Sequence, residues 1–97
     1  MENLIYETVR FTGSEHLELF ARKKMNLIFS KITNVQRAEV TLYEGASGNL
    51  ENQFCEIHLT VPGNTIFVKK NAVAYEQAIR LAVAAVQKII RRRKEQE

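Results

Sequence analysis

Eight side chains between Lys69 and Lys94 carry the chemistry for which this chain can be read: Lys69, Lys70, Arg80, Lys88, Arg91, Arg92, Arg93 and Lys94. One acid, Glu76, stands among them, so the segment holds a net charge of +7. Residues 1–68 hold six basic residues and eight glutamates, a net of −2, and Glu95 and Glu97 add a further −2. The formal charge of +3 for the whole chain therefore hides a local excess. Ammonium and guanidinium groups gathered in this way neutralise phosphates, and Arg adds paired N–H donors that match a phosphate edge. A basic patch on an otherwise balanced small domain is the footprint of a polyanion partner, most often nucleic acid. The same residues also suit a solvated helix end, where cations complement the negative end of the helix dipole. Charge alone leaves the two readings level.

Catalysis needs groups that converge, and none can be assembled here. The sequence contains no Asp. His16 falls on a first helical turn and His58 on an outward strand position. Neither has a Cys or His at metal-ligand spacing, so both read as surface histidines and no metal site is expected. Glu15 and Glu18 share a helix face, but Glu15 has a capping role available. Phosphate-loop, dinucleotide-binding and nucleophile-elbow patterns are missing, and the four glycines fall in loops and turns. The expectation is a binding protein that uses no cofactor and no small-molecule substrate, not an enzyme.

The elements that must position the cations follow from composition and periodicity. Ninety-seven residues, 45% of them apolar, make one domain. The single Cys55 lies in a strand-like run and reads as a buried, reduced thiol, which fits a cytoplasmic protein. The longest apolar run, Leu81–Val86, is too short to span a membrane, and the start of the chain lacks a signal-peptide layout.

A first strand is predicted over 5–11, with Ile5, Val9 and Phe11 on one face and Glu7 the misfit. Thr12-Gly-Ser-Glu15 has the form of a capping box and predicts a helix to about Phe29, with Leu17, Phe20, Ala21, Met25 and Ile28 as its apolar stripe. Lys24 falls inside that stripe by angle, its stem buried and its ammonium in water. A second strand is predicted over 35–43 and a third over 53–61, with Cys55, Ile57, Leu59 and Val61 inward. Pro62-Gly-Asn-Thr65 turns into a fourth strand over 65–70. From Tyr75 to about Arg93, apolar residues recur at i, i+3, i+4 for four turns, the strongest helix in the sequence. The order β-α-β-β-β-α gives an α+β fold, a four-stranded mixed sheet with both helices packed on one face. The helical connection makes the first two strands parallel, and the others pair as antiparallel hairpins.

On these residues the chain resembles the ribosome hibernation-promoting factors, also called ribosome-associated inhibitors or sigma-54 modulation proteins. Its nearest likeness is to the short form, in the version found in Bacteroidetes-like bacteria. The resemblance runs from Ile5 to Lys94. It rests on Val9-Arg-Phe11-Thr12, Lys23-Lys24, Ala38-Glu-Val40-Thr-Leu42, the run from Glu56 through Val61-Pro62-Gly63 to Lys69-Lys70, Tyr75-Glu-Gln-Ala78-Ile79 and the basic end from Lys88 to Lys94. No single piece is diagnostic; the ordered set is.

The resemblance implies a fold like a double-stranded-RNA-binding domain with an extra strand. It also implies binding to the small ribosomal subunit, in the messenger channel and across tRNA positions, with silencing and protection of idle ribosomes in stationary phase or stress. The residues it implies for rRNA phosphates are Lys23, Lys24, Lys69, Lys70, Arg80, Lys88, Arg91, Arg92, Arg93 and Lys94. Arg80 stands where the family commonly carries an acid. Residues 1–97 are expected to be one ribosome-binding domain, a monomer in solution, without the dimerising domain of the long family form. The alternative is a regulator of the sigma-54 modulation type, whose basic helix meets an acidic protein surface.

Overall fold

The computed structural model describes residues 4–95; Met1–Asn3 and the tail residues Gln96 and Glu97, one of the acids counted above, lie outside it. The elements are β1 (Leu4–Val9), α1 (Glu15–Phe29), β2 (Arg37–Glu44), β3 (Gln53–Val61), β4 (Asn64–Ala72) and α2 (Tyr75–Glu95). The strands form one sheet in the order β1-β2-β3-β4. β1 pairs parallel with β2, while β2–β3 and β3–β4 are antiparallel. This is the α+β arrangement read from the periodicity.

Alternation sorts the strands into two faces. Ala38, Val40, Leu42, Cys55, Ile57, Leu59, Ile66 and Val68 are buried under the helices. Against them pack Leu17, Ala21, Met25 and Ile28 of α1 and Ala78, Ile79, Ala82, Val83, Val86 and Ile90 of α2, in one continuous core. No polar or charged side chain is buried among the described residues. The small residues Ala21, Ala78 and Ala82, each at 0% exposure, allow the helices to approach the sheet and each other closely.

Two local expectations are corrected. β1 presents the opposite face from the one predicted. Leu4, Tyr6 and Thr8 stand in register with Ala38, Val40 and Leu42, so they point toward the helices, and Ile5, Glu7 and Val9 lie on the open face. Glu7 is then no misfit; it is solvent-facing, and Val9 is 36% exposed. The strand also ends at Val9, because Arg10 takes a left-handed backbone (φ 67°). Such a φ is uncommon outside glycine and turns the chain out of the sheet. Phe11 thus leaves the strand and stacks on Tyr75 at the start of α2, ring centroids 4.5 Å apart.

The helix cap is Ser14, not Thr12. Ser14 holds an extended backbone, and its hydroxyl accepts from the Leu17 N–H at 3.0 Å. This satisfies one of the free donors of the first turn. Thr12 and Ser14 both suit a cap by type, and Ser14 is the one that directly precedes the first helical residue, Glu15.

Cys55 sits at 0% exposure in the centre of this core. Burial, with a smaller contribution from the Glu56 charge, pushes its thiol pKa up to about 12 from 9.0. The folded state then keeps a proton that the unfolded chain releases. Stability is therefore whole below pH 9.0 and is lost as pH rises toward about 12, by at most about 1.4 kcal/mol per pH unit for this one group. Urea unfolding across the alkaline range should show this decline, and Cys55→Ala should make it shallower, with Tyr43, raised from 10.0 to about 12, supplying part of what remains. An equal decline in the Ala variant would place the alkaline sensitivity elsewhere.

Candidate nucleic-acid interface

α2 alternates a buried stripe with a basic one. Arg80, Lys88, Arg91, Arg92 and Lys94 are exposed, and Arg93 is half-buried. From Arg80 to Lys94 the helix advances about 21 Å at its normal rise. The ion pairs among the described residues are Arg22–Glu18 at 2.8 Å and Arg37–Glu39 at 2.9 Å. None of the ten predicted phosphate-binding residues is in either pair. Among the described residues, no ion pair neutralises their charge.

The helices run in the same direction, and contacts at two levels show how they bring cations together. At one level, Phe20 of α1 lies between helices. The Lys24 Nζ stands 5.6 Å from its ring centroid and the Arg80 guanidinium 5.1 Å. The negative ring face offsets part of the repulsion between two like charges held there. Lys24 is half-buried, as its place in the apolar stripe implies. At the other level, the Lys94 Nζ donates to the Lys31 carbonyl oxygen at 2.9 Å. The end of α2 is thereby tied to the end of α1 and does not simply project past the core. Lys31, Gln87, Ile90, Arg91 and Lys94 line a groove of about 500 Å³ there.

The remaining residues divide. Lys23 is exposed on the outer side of α1, where it lines a smaller groove of about 320 Å³ with Leu4, Leu19, Arg22, Asn26 and Phe29. Lys69 and Lys70 point to opposite sides of β4. Lys70 pairs in register with the inward Cys55, and its exposed side chain lies at the sheet edge on the helix side. Lys69 pairs with Glu56 on the open face, its Nζ 5.3 Å from the Phe54 ring centroid. The structure therefore gathers Lys24, Arg80, Lys88, Arg91, Arg92, Arg93 and Lys94 on the helical layer, with Lys23 and Lys70 at its margins. Lys69 is on the far side of the sheet.

That open face is aromatic rather than basic. Tyr43 stacks on Phe54 at 5.1 Å, and its hydroxyl donates to the Glu56 carboxylate at 2.6 Å. Burial, then the bond to Glu56, pushes the Tyr43 phenol up to about 12. His58 meets Phe67 edge to face at 5.9 Å. Among the described residues no group of three or more His, Cys, Asp or Glu could hold a metal ion, and no helix is long and apolar enough to cross a membrane.

The family model described as "Sigma 54 modulation protein / S30EA ribosomal protein" matches residues 4–97. The chain belongs to this family. No curated protein sequence matches it. Solved structures share its fold at low identity. The N-terminal domain of Protein Y from Thermus thermophilus is 18% identical, with a TM-score of 0.74 over 90% of this chain and 92% of that one. A ribosomal subunit interface protein from Coxiella burnetii is 12% identical, with a TM-score of 0.77 over 95% and 97%.

Within the family frame, two residues that matter at this surface escaped the sequence reading. Phe20 was assigned to the core stripe, yet its half-exposed ring also carries two cations. Lys31 is a lone lysine after α1, and its partner lies 63 residues away. Only the period-2 alternation of β4, which separates Lys69 from Lys70, was available beforehand.

Proposed function

We propose that this chain is a ribosome-associated RNA-binding factor of the cytoplasm. It occupies small-subunit rRNA where messenger and tRNA would lie and silences idle ribosomes in stationary phase or stress. The observation that carries this reading is the cation array of the helical layer, which has no acid partner among the described residues. It is supported by the family description, which names a ribosomal protein, and by the Coxiella burnetii structure, described as a ribosomal subunit interface protein. Long Arg and Lys side chains on a rigid helix neutralise phosphates through charge and spacing, and structured RNA is read in that way rather than by its bases. The residues assigned to phosphate contact are Lys23, Lys24, Lys70, Arg80, Lys88, Arg91, Arg92, Arg93 and Lys94, and Lys69 is assigned a weaker share from the other face.

The test is binding to purified small subunits as a function of salt. About six engaged phosphates give a slope near −5 on a log–log plot. The same protein added to a translation extract should block initiation, with relief by excess messenger and tRNA. A slope near zero, or full protein synthesis at saturating occupancy, would remove the reading. The family description also names sigma-54 modulation. A direct protein contact of that kind survives nuclease treatment in a pull-down, whereas an RNA-mediated one does not.

A further inference from the structure

We infer that the groove between the ends of α1 and α2 is a binding site for a nucleoside polyphosphate. Three cations converge on it, Lys31 from the turn after α1 and Arg91 and Lys94 from α2. Its floor is apolar, provided by Ile90, which is 6% exposed. Its remaining lining residue is Gln87, whose amide can both donate and accept. No acid lines it. The volume of about 500 Å³ falls within the usual size of a small-ligand site.

The charge density decides the ligand class. An RNA strand brings one negative charge per nucleotide, spaced along its backbone. A groove of nucleotide size with three cations is undersupplied by a single phosphodiester. A polyphosphate places several charges in that volume, and its base can cover Ile90 while its edge meets Gln87. Arg91 supplies a planar fork for two phosphate oxygens, and the two lysines supply point charges. The C-terminal ends of two parallel helices oppose an anion here, and the cations must outweigh them. That repulsion also grows with the charge of the ligand, so the preference for a polyphosphate rests on the three cations. Because Arg91 and Lys94 are among the residues assigned to rRNA, an occupied groove would compete with the ribosome. The competition rests on the proposed function; the binding does not.

Titration calorimetry on the full chain at one low ionic strength tests this with ATP, AMP, inorganic tripolyphosphate and a short single-stranded RNA. ATP should bind at one site, tighter than AMP, which has fewer charges, and tighter than tripolyphosphate, which has no base. Arg91→Gln and Lys31→Gln should each weaken ATP about tenfold, the loss of one charge-assisted contact. Arg10→Gln, which removes an exposed cation outside the groove, should leave ATP binding unchanged. Both lysine and arginine positions in the groove are exposed, and circular dichroism of each variant confirms the fold.

Three results would overturn the site. One is tripolyphosphate binding as tightly as ATP, which makes it a general anion patch. Another is Arg10→Gln costing as much as Arg91→Gln, which makes the attraction diffuse. The third is RNA binding that depends on Lys31 and Arg91 while ATP shows no site. Small-subunit binding is measured separately, so its loss with ATP binding retained removes the ribosome reading alone.

Discussion

Replacing Arg91, Arg92 and Arg93 together by Gln is expected to weaken small-subunit binding by well over tenfold at moderate salt, without unfolding the protein. Gln keeps helix propensity nearly level, so the change is one of charge. Each lost phosphate contact removes about 0.9 from the salt slope, and three remove nearly three units. Arg93 is half-buried, so its share should be the smallest. The stability change should stay within about 1 kcal/mol, the size of helix-dipole and surface-charge effects. The tie between Lys94 and the Lys31 carbonyl is untouched by these substitutions. A triple variant that unfolds would make the helix end structural. One that binds like the parent at low salt would mean the site lies elsewhere.

Ile79→Ala should do the reverse. Ile79 is 1% exposed, in the centre of the contact between α2 and the sheet. Truncating it removes buried methylenes and leaves a cavity, at a cost of about 2–5 kcal/mol. A domain of this size holds about 5–15 kcal/mol in total, so the loss is a large fraction of it. The melting temperature should fall by more than about 10 °C. Below the new transition, small-subunit binding should keep the parental salt slope, since no charge has moved. A variant that melts with the parent would show that the α2 stripe is not packed as described. Read together, the two variants separate the layer that folds the protein from the layer that binds.

What could be read in advance followed from how strongly each signal is over-determined. β3 was predicted over its full observed range, because alternation, a preceding loop and a following Pro-Gly turn all agree on it. The two helices have long stripes bounded by polar loops. The predicted Leu17, Ala21, Met25 and Ile28 of α1 are buried while Phe20 is half-buried, and the i, i+3, i+4 pattern of α2 buries Ala78, Ile79, Ala82, Val83, Val86 and Ile90 but leaves Tyr75 and Ile89 half-buried. β1 failed for a physical reason. It is an edge strand whose two faces are both part-apolar, so alternation does not say which one meets the core. Glu7 was the clue, and assigning it outward would have turned Tyr6 inward.

The interface was legible as a set of charges but not as a surface. Sequence gives the identity of cations, while their neighbours depend on register and helix packing. Arg80 reads as a departure from the family pattern, and nothing in its local sequence reveals that Phe20 will lie beneath it at 5.1 Å. The Tyr43–Phe54 stack and the Lys69–Phe54 contact likewise require the strand registers that set those residues side by side. Contacts of this kind are decided by tertiary structure, and short-range pattern carries no record of them.

The strand order of the sheet repeats the order of the chain, and this has a consequence for how the molecule is born. Every strand pair joins successive strands, so the loops to be closed are short, apart from the α1 crossover, and folds built on such local pairing assemble quickly. During synthesis the strands can zip together as they emerge. α2 is the last of the described elements to appear, and it brings both the lid of the core and most of the cations. A nascent chain therefore has an unfinished interior for as long as it lacks its basic face. Under the proposed function, most of the charge assigned to phosphate therefore arrives with the same element that completes the core.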